Sequence, residues 1–133
     1  MKKNIDNKFY VYRFRLYPNA KQIAYLDEQM SYNRFLYNFF LERATSLYKN
    51  YGVKTNYHSI SKVLPLLKRG FSFLKDANSQ SLQASLKDLD DAFKKFFTKQ
   101  AVYPNFKKKG VYSSIVIPQN FTFEKWHYID PCE

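Results

Sequence analysis

At 133 residues the chain is about the size of one domain, enough for a real core and too little for several. Aromatic residues make up 20% of it, with 13 Phe and 12 Tyr, while Gly occurs only three times, which favours long regular elements over a turn-rich β fold. The net charge of +11 favours an anionic partner, nucleic acid before an acidic membrane surface, and the single Cys132 excludes an internal disulfide and fits a reducing cytoplasm.

No stretch approaches the ~20 apolar residues of a spanning helix, and no signal-peptide pattern is present. Residues 1–7 read as a polar lead-in. Phe9 to Tyr17 (FYVYRFRLY) reads as a strand, with Tyr10, Tyr12, Phe14 and Leu16 on a core face. Arg13 and Arg15 share the other face, about 7 Å apart, a spacing that meets successive phosphates or simply faces solvent. Asn19 and Gln22 have capping-box spacing and start a helix with Ile23, Leu26 and Met30 as its apolar stripe. A break is expected near Ser31. Tyr32 to Tyr51 then forms a second, central helix, apolar on most of its circumference, with Gly52 as its stop.

Asn56-Tyr57-His58 caps a short helix over Tyr57 to Leu64, which Pro65 ends or kinks. Leu66 to Lys75 reads as a connector, pinned to the core by Phe71, Phe73 and Leu74. Asn78 to Lys99 is the strongest helix. Leu82, Leu86, Leu89, Phe93, Phe96 and Phe97 recur at spacings of three and four, within a stripe of roughly 100°. Asn78 or Ser79 caps it, and Lys87–Asp91, Asp90–Lys94 and Asp91–Lys95 are spaced as ion pairs. Gln80, Gln83, Lys87 and Lys94 project nearly in line, as a solvated face or one that meets an acidic partner.

Beyond this helix the composition changes. Gln100 to Gly110 is a basic loop with Lys107, Lys108 and Lys109 consecutive, and no acid occurs from Thr98 to Phe123. Val111 to Ile117 and Phe123 to Ile129 are strand candidates. With Phe9–Tyr17 they would make a small sheet. The fold class expected is therefore mainly α with a small β part (α+β), and a helix-turn-helix is open within the helical middle.

FRLYPNAKQ at Phe14–Gln22, RFLYNFFLER at Arg34–Arg43, LLKRGFSFLKDANSQSLQASLKDLDDAFKKFF at Leu66–Phe97 and YPNFKKKG at Tyr103–Gly110 resemble the amino-terminal region of the TnpB (OrfB) proteins. These are encoded by bacterial insertion sequences and are similar to the ancestors of type V CRISPR nucleases. The resemblance covers roughly residues 8–118. It implies that residues 8–18 and 110–130 form part of a wedge-like β-barrel. A helical recognition lobe, 19–109, would be inserted into it. It further implies DNA and guide RNA as partners, with Tyr57, Ser79, Gln80 and Gln83 at positions that approach a duplex beside the target. Gln can bond an adenine edge in two places, and Tyr can stack or bond backbone.

Family members continue into a RuvC-like nuclease with three separated acids and a Cys-rich zinc element. Asp130 lacks the glycine-flanked strand context of a first catalytic aspartate, and Cys132 alone cannot make a zinc site, which needs about four ligands. His58 and His127 have no nucleophile signature around them. No catalytic residue, cofactor, metal or small-molecule substrate is expected. The function expected is a nucleic-acid-binding amino-terminal portion of an RNA-guided nuclease, lacking the nuclease domain, with Arg13, Arg15 and Lys107–Lys109 on the backbone and limited readout from the flank carrying Gln80, Gln83 and Lys87. The alternatives are a stand-alone helix-turn-helix regulator or transposition accessory, and a helical protein-interaction module.

Overall fold

A computed structural model describes residues 9–110 and 114–118. Its elements are α1 (Ala20–Tyr51), α2 (Tyr57–Gly70), a 3-10 turn (Ser72–Asp76) and α3 (Ser79–Phe97). α3 packs on both α1 and α2, and the 3-10 turn closes back on α2. The core runs through Leu36, Phe40 and Leu41 of α1, Ile60, Leu64 and Leu67 of α2, Leu74 of the turn, and Leu82, Leu86, Leu89 and Phe93 of α3.

Three of the helix starts follow from side chains that satisfy otherwise orphaned N–H groups. Asn19 accepts from the Gln22 N–H at 2.9 Å while the Gln22 side chain accepts from Asn19 N, also at 2.9 Å. Asn56 and Ser59 repeat this capping box on α2. On α3, Asn78 accepts from Gln80 N and Ser81 N at 3.0 and 3.2 Å. Gly52 ends α1 at φ 65°, a left-handed position where a Cβ is unfavourable.

Several expectations are corrected. The α+β class, a helical bundle inserted into an incomplete wedge-like β-barrel, gives way to helices alone, because the described residues contain no strand. Residues 9–19 carry no regular structure. Tyr10, Tyr12 and Phe14 do share a side, with consecutive ring centroids 6.4 Å apart. Yet the segment is exposed, up to 94% at Val11. Alternation selects a face only when a neighbouring strand supplies the ladder, and residues 114–117, the described part of the second strand candidate, carry no regular structure. Residues 111–113 and the third candidate, Phe123–Ile129, lie outside the described residues.

The break near Ser31 is absent. Ser31 Oγ donates to Asp27 O at 2.8 Å inside an unbroken helix about 48 Å long. The buried stripe of α1 simply passes through amides, Gln29 and Asn33, which hydropathy counts as polar, while Ile23 faces solvent. Nor does Pro65 end α2. Its ring is exposed, and Leu64 and Leu67 on either side are buried, so packing outweighs the lost backbone bond.

Gln29 is 2% exposed and reaches across the chain: its Nε2 donates to Asp76 O at 3.0 Å and its Oε1 accepts from Asn78 N at 2.9 Å. One turn on, Asn33 Nδ2 donates to Gln29 O, and Ser85 Oγ of α3 donates to Asn33 Oδ1 at 2.5 Å. Urea unfolding should show Gln29→Leu destabilised by about 1–3 kcal/mol, since it orphans two backbone groups. Leu86→Ala should cost about 2–5 kcal/mol as a buried cavity mutant. A neutral Gln29→Leu would show that the amide does not set the register of α3.

Candidate nucleic-acid interface

α2 and α3 run antiparallel, with the start of α2 beside the middle of α3. Two contacts fix this: Lys87 Nζ lies 5.3 Å from the Tyr57 ring centroid, and Lys68 Nζ donates to Ser79 Oγ at 2.9 Å. At about 100° per residue, Tyr57, Ser61 and Lys68 fall within one narrow sector of α2. Ser79, Gln80, Gln83 and Lys87 fall within one sector of α3, flanking the core stripe. The two sectors adjoin along the α2–α3 seam and form a polar ribbon about 12 Å long between Ser79 and Lys87. Gln80 and Gln83 are half-buried. Lys87 is exposed and its ammonium rests on an aromatic face, which orients the charge without neutralising it.

Five of the residues picked out by sequence, Tyr57, Ser79, Gln80, Gln83 and Lys87, therefore come together. Lys94, expected in line with them, is occupied: it pairs with the buried Asp90 at 2.9 Å, and that hydrogen bond pushes its pKa up. Of the three spaced ion pairs, this is the one found among the described residues. The competing partners Lys87 and Lys95 remain exposed, and Lys87 takes Tyr57 instead of Asp91.

The lysine triplet sits on another side of α3. Asn38 holds its first member by both backbone atoms, accepting from Lys107 N at 2.8 Å and donating to Lys107 O at 2.9 Å. Lys107 Nζ lies 4.4 Å from the Tyr37 ring centroid. Upstream, Tyr103 packs edge-on against Phe93 and Phe96, and its hydroxyl bonds Thr45. Lys107 and Lys108 share a groove with Asp88, about 100° around α3 from Lys87. Burial raises the Tyr37 pKa, with Asp88 adding to the shift. Lys108 and Lys109 are exposed.

Arg13 and Arg15 lie on the exposed segment before α1, with the Arg15 guanidinium 5.4 Å from the Tyr17 ring centroid. The candidate residues thus occupy three places: the α2–α3 ribbon, the groove beside α1, and the leading segment.

Lys68 and Asn38 were missed. Lys68 lies eleven residues after Tyr57, three helical turns, and so shares its face. Stopping α2 at Pro65 hides that relation. Asn38 carries no local signal, because its partner is 69 residues away.

Among the described residues no cluster of His, Cys, Asp and Glu could hold a metal ion, and no helix is long and apolar enough to cross a membrane.

A family model described as a helix-turn-helix domain, of OrfB proteins of IS605 type, matches residues 10–53, the leading segment and all of α1. Three curated proteins are similar over longer stretches. The chain is 32% identical over 116 residues to a protein of Escherichia coli K12 named as the RNA-guided DNA endonuclease InsQ, covering 86% of this chain and 29% of that protein. It is 31% identical over 100 residues to one of Streptomyces pristinaespiralis also named as an RNA-guided DNA endonuclease, covering 74% and 25%. The virulence protein VsdF of Salmonella dublin is 30% identical over 105 residues, covering 71% of this chain and 88% of VsdF. The chain therefore spans 29% and 25% of the length of the two endonuclease relatives.

Asn38→Leu should release the basic segment. Losing two hydrogen bonds worth about 0.5–1.5 kcal/mol each should speed tryptic cleavage at Lys107–Lys109 by roughly tenfold. Unchanged cleavage would mean that the aromatic contacts of Tyr103 alone hold the segment.

Proposed function

We propose that this chain, which belongs to the TnpB (OrfB) family and corresponds to its amino-terminal region, is a nucleic-acid-binding lobe that holds DNA and RNA without cutting them. Residues 19–109 act as one recognition unit. The α2–α3 ribbon meets a duplex, with Lys68 and Lys87 on phosphates, Tyr57 and Ser79 on the backbone, and Gln80 and Gln83 on base edges. A ribbon of about 12 Å spans three to four base-pair steps of ~3.4 Å, a length suited to a short motif. Arg13, Arg15 and Lys107–Lys109 add backbone contacts from the other two places, where a guide RNA and its flanks would run.

The observation that carries this reading is the convergence of Tyr57, Ser79, Gln83 and Lys87 from two helices onto one seam, joined there by Lys68. The Tyr57–Lys87 and Lys68–Ser79 contacts hold the seam together, and the helical period puts Gln83 between them. The relatives' names add that proteins of this family act on DNA under RNA guidance. Any cleavage would come from parts outside this region, and the setting would be the cytoplasm.

Anisotropy titration of a short labelled duplex should give a salt slope of about −3 to −6, one near-unit step per phosphate met. Lys87→Ala and Lys68→Ala should each weaken binding to all sequences and flatten that slope by about 1. Gln83→Ala should instead relax sequence preference, by about 1–3 kcal/mol at one base pair. A salt-independent affinity, or lysine variants indistinguishable from the parent, would remove the ribbon from the interface.

A further inference from the structure

A cavity of about 380 Å³ lies between α1, α3, residues 106–108 and residues 114–116, on the side of α3 away from the ribbon. Its floor is a line of polar groups along α3. Ser81 is 1% exposed, and its hydroxyl is buried without a hydrogen-bond partner among the described residues. Buried hydroxyls of folded chains nearly always have one, so this hydroxyl is available to whatever enters the cavity, water or a ligand group. One turn on, Ser85 lines the cavity while bonded to Asn33. Asp88 follows at the mouth, an exposed carboxylate with no hydrogen bond or ion pair among the described residues.

The opposite rim is cationic. Arg34, half-buried and steadied by a 3.0 Å bond to Ser31, faces it together with Lys107 and Lys108, and the Asn38 clamp fixes Lys107 in place. Ala84 and Phe106 supply apolar wall between floor and rim. Acceptors and donors below, an apolar wall and positive charge at the edge are the three demands of a nucleotide. The volume falls in the ~300–1,000 Å³ range of small-ligand sites.

We propose that this cavity takes one unpaired nucleotide, its base against Ser81 and Asp88 and its phosphate against Arg34, Lys107 and Lys108. Guanine is the favoured base, because it presents two adjacent N–H donors that one carboxylate accepts together. The site is separate from the duplex-facing ribbon and does not depend on it. Its contribution is to hold a base extruded from a strand, where the ribbon holds paired ones.

The 133-residue chain is titrated with guanosine monophosphate, ribose 5-phosphate, and two single-stranded pentamers carrying either guanosine or an abasic residue at the centre, followed by amide NMR shifts and calorimetry. Guanosine-bearing ligands should bind at least tenfold more tightly than the matched sugar phosphate or abasic strand, and should move the amides of Ser81, Ala84 and Asp88. Binding of the pentamer alone assigns the site to a nucleotide within a strand, and binding of both ligands extends it to free nucleotides. Asp88→Asn should erase the guanine preference, and Ala84→Leu should block entry while leaving duplex affinity through the ribbon unchanged. Equal binding of base-bearing and abasic ligands, or discrimination that survives in both variants, overturns the assignment and leaves the ribbon's role standing.

Discussion

The arrangement of this molecule depends on one buried amide. Gln29, near the middle of the first half of α1, holds the chain where the 3-10 turn gives way to α3, gripping Asp76 O and Asn78 N at once. Asn78 then caps α3. That fixes where Ser79 sits, hence where Lys68 meets it, and hence the register of the whole α2–α3 seam. Hydrophobic burial of Leu82, Leu86 and Leu89 supplies most of the stability but tolerates sliding, because it is not directional. The amide supplies the direction. Asn33 toward Ser85 and Asn38 toward Lys107 repeat the device further along the same helix.

The consequence for function is a lobe with polar groups on distinct faces of α3. Ser79, Gln83 and Lys87 look out beside α2, whereas Asp88 looks toward α1 and the basic segment. Charges on separate faces are screened from each other over a Debye length of ~8 Å at physiological ionic strength. Each face therefore acts on whatever strand lies against it. A high net charge divided in this way suits a partner that wraps around the lobe better than a flat one pressed against a single patch.

Much of the helical part was legible because it rests on local chemistry. Asn19 with Gln22, Asn56, Asn78 and Gly52 each act within a few residues, so spacing alone locates them. The α3 stripe and its polar flank are equally local, and Gln83 and Lys87 fall where the helical period puts them. The misreadings arose where distant packing decides. Pro65 suggests an end to α2 until Leu64 and Leu67 are both seen to be buried, and with the extra turn comes Lys68. Gln29 and Asn33 look like a break in an apolar stripe until their partners appear 47 and 52 residues away. Phe9–Tyr17 has a strand's alternation, but a strand also needs a partner, which alternation cannot supply.

The most direct test of the ribbon is amide hydrogen exchange of the chain with and without a saturating short duplex. The account predicts added protection over the start of α2 and the first two turns of α3, around Tyr57, Ser79 and Gln83. Protection confined to α1 or to the leading segment, with α2 and α3 exchanging as they do in the free chain, would contradict it.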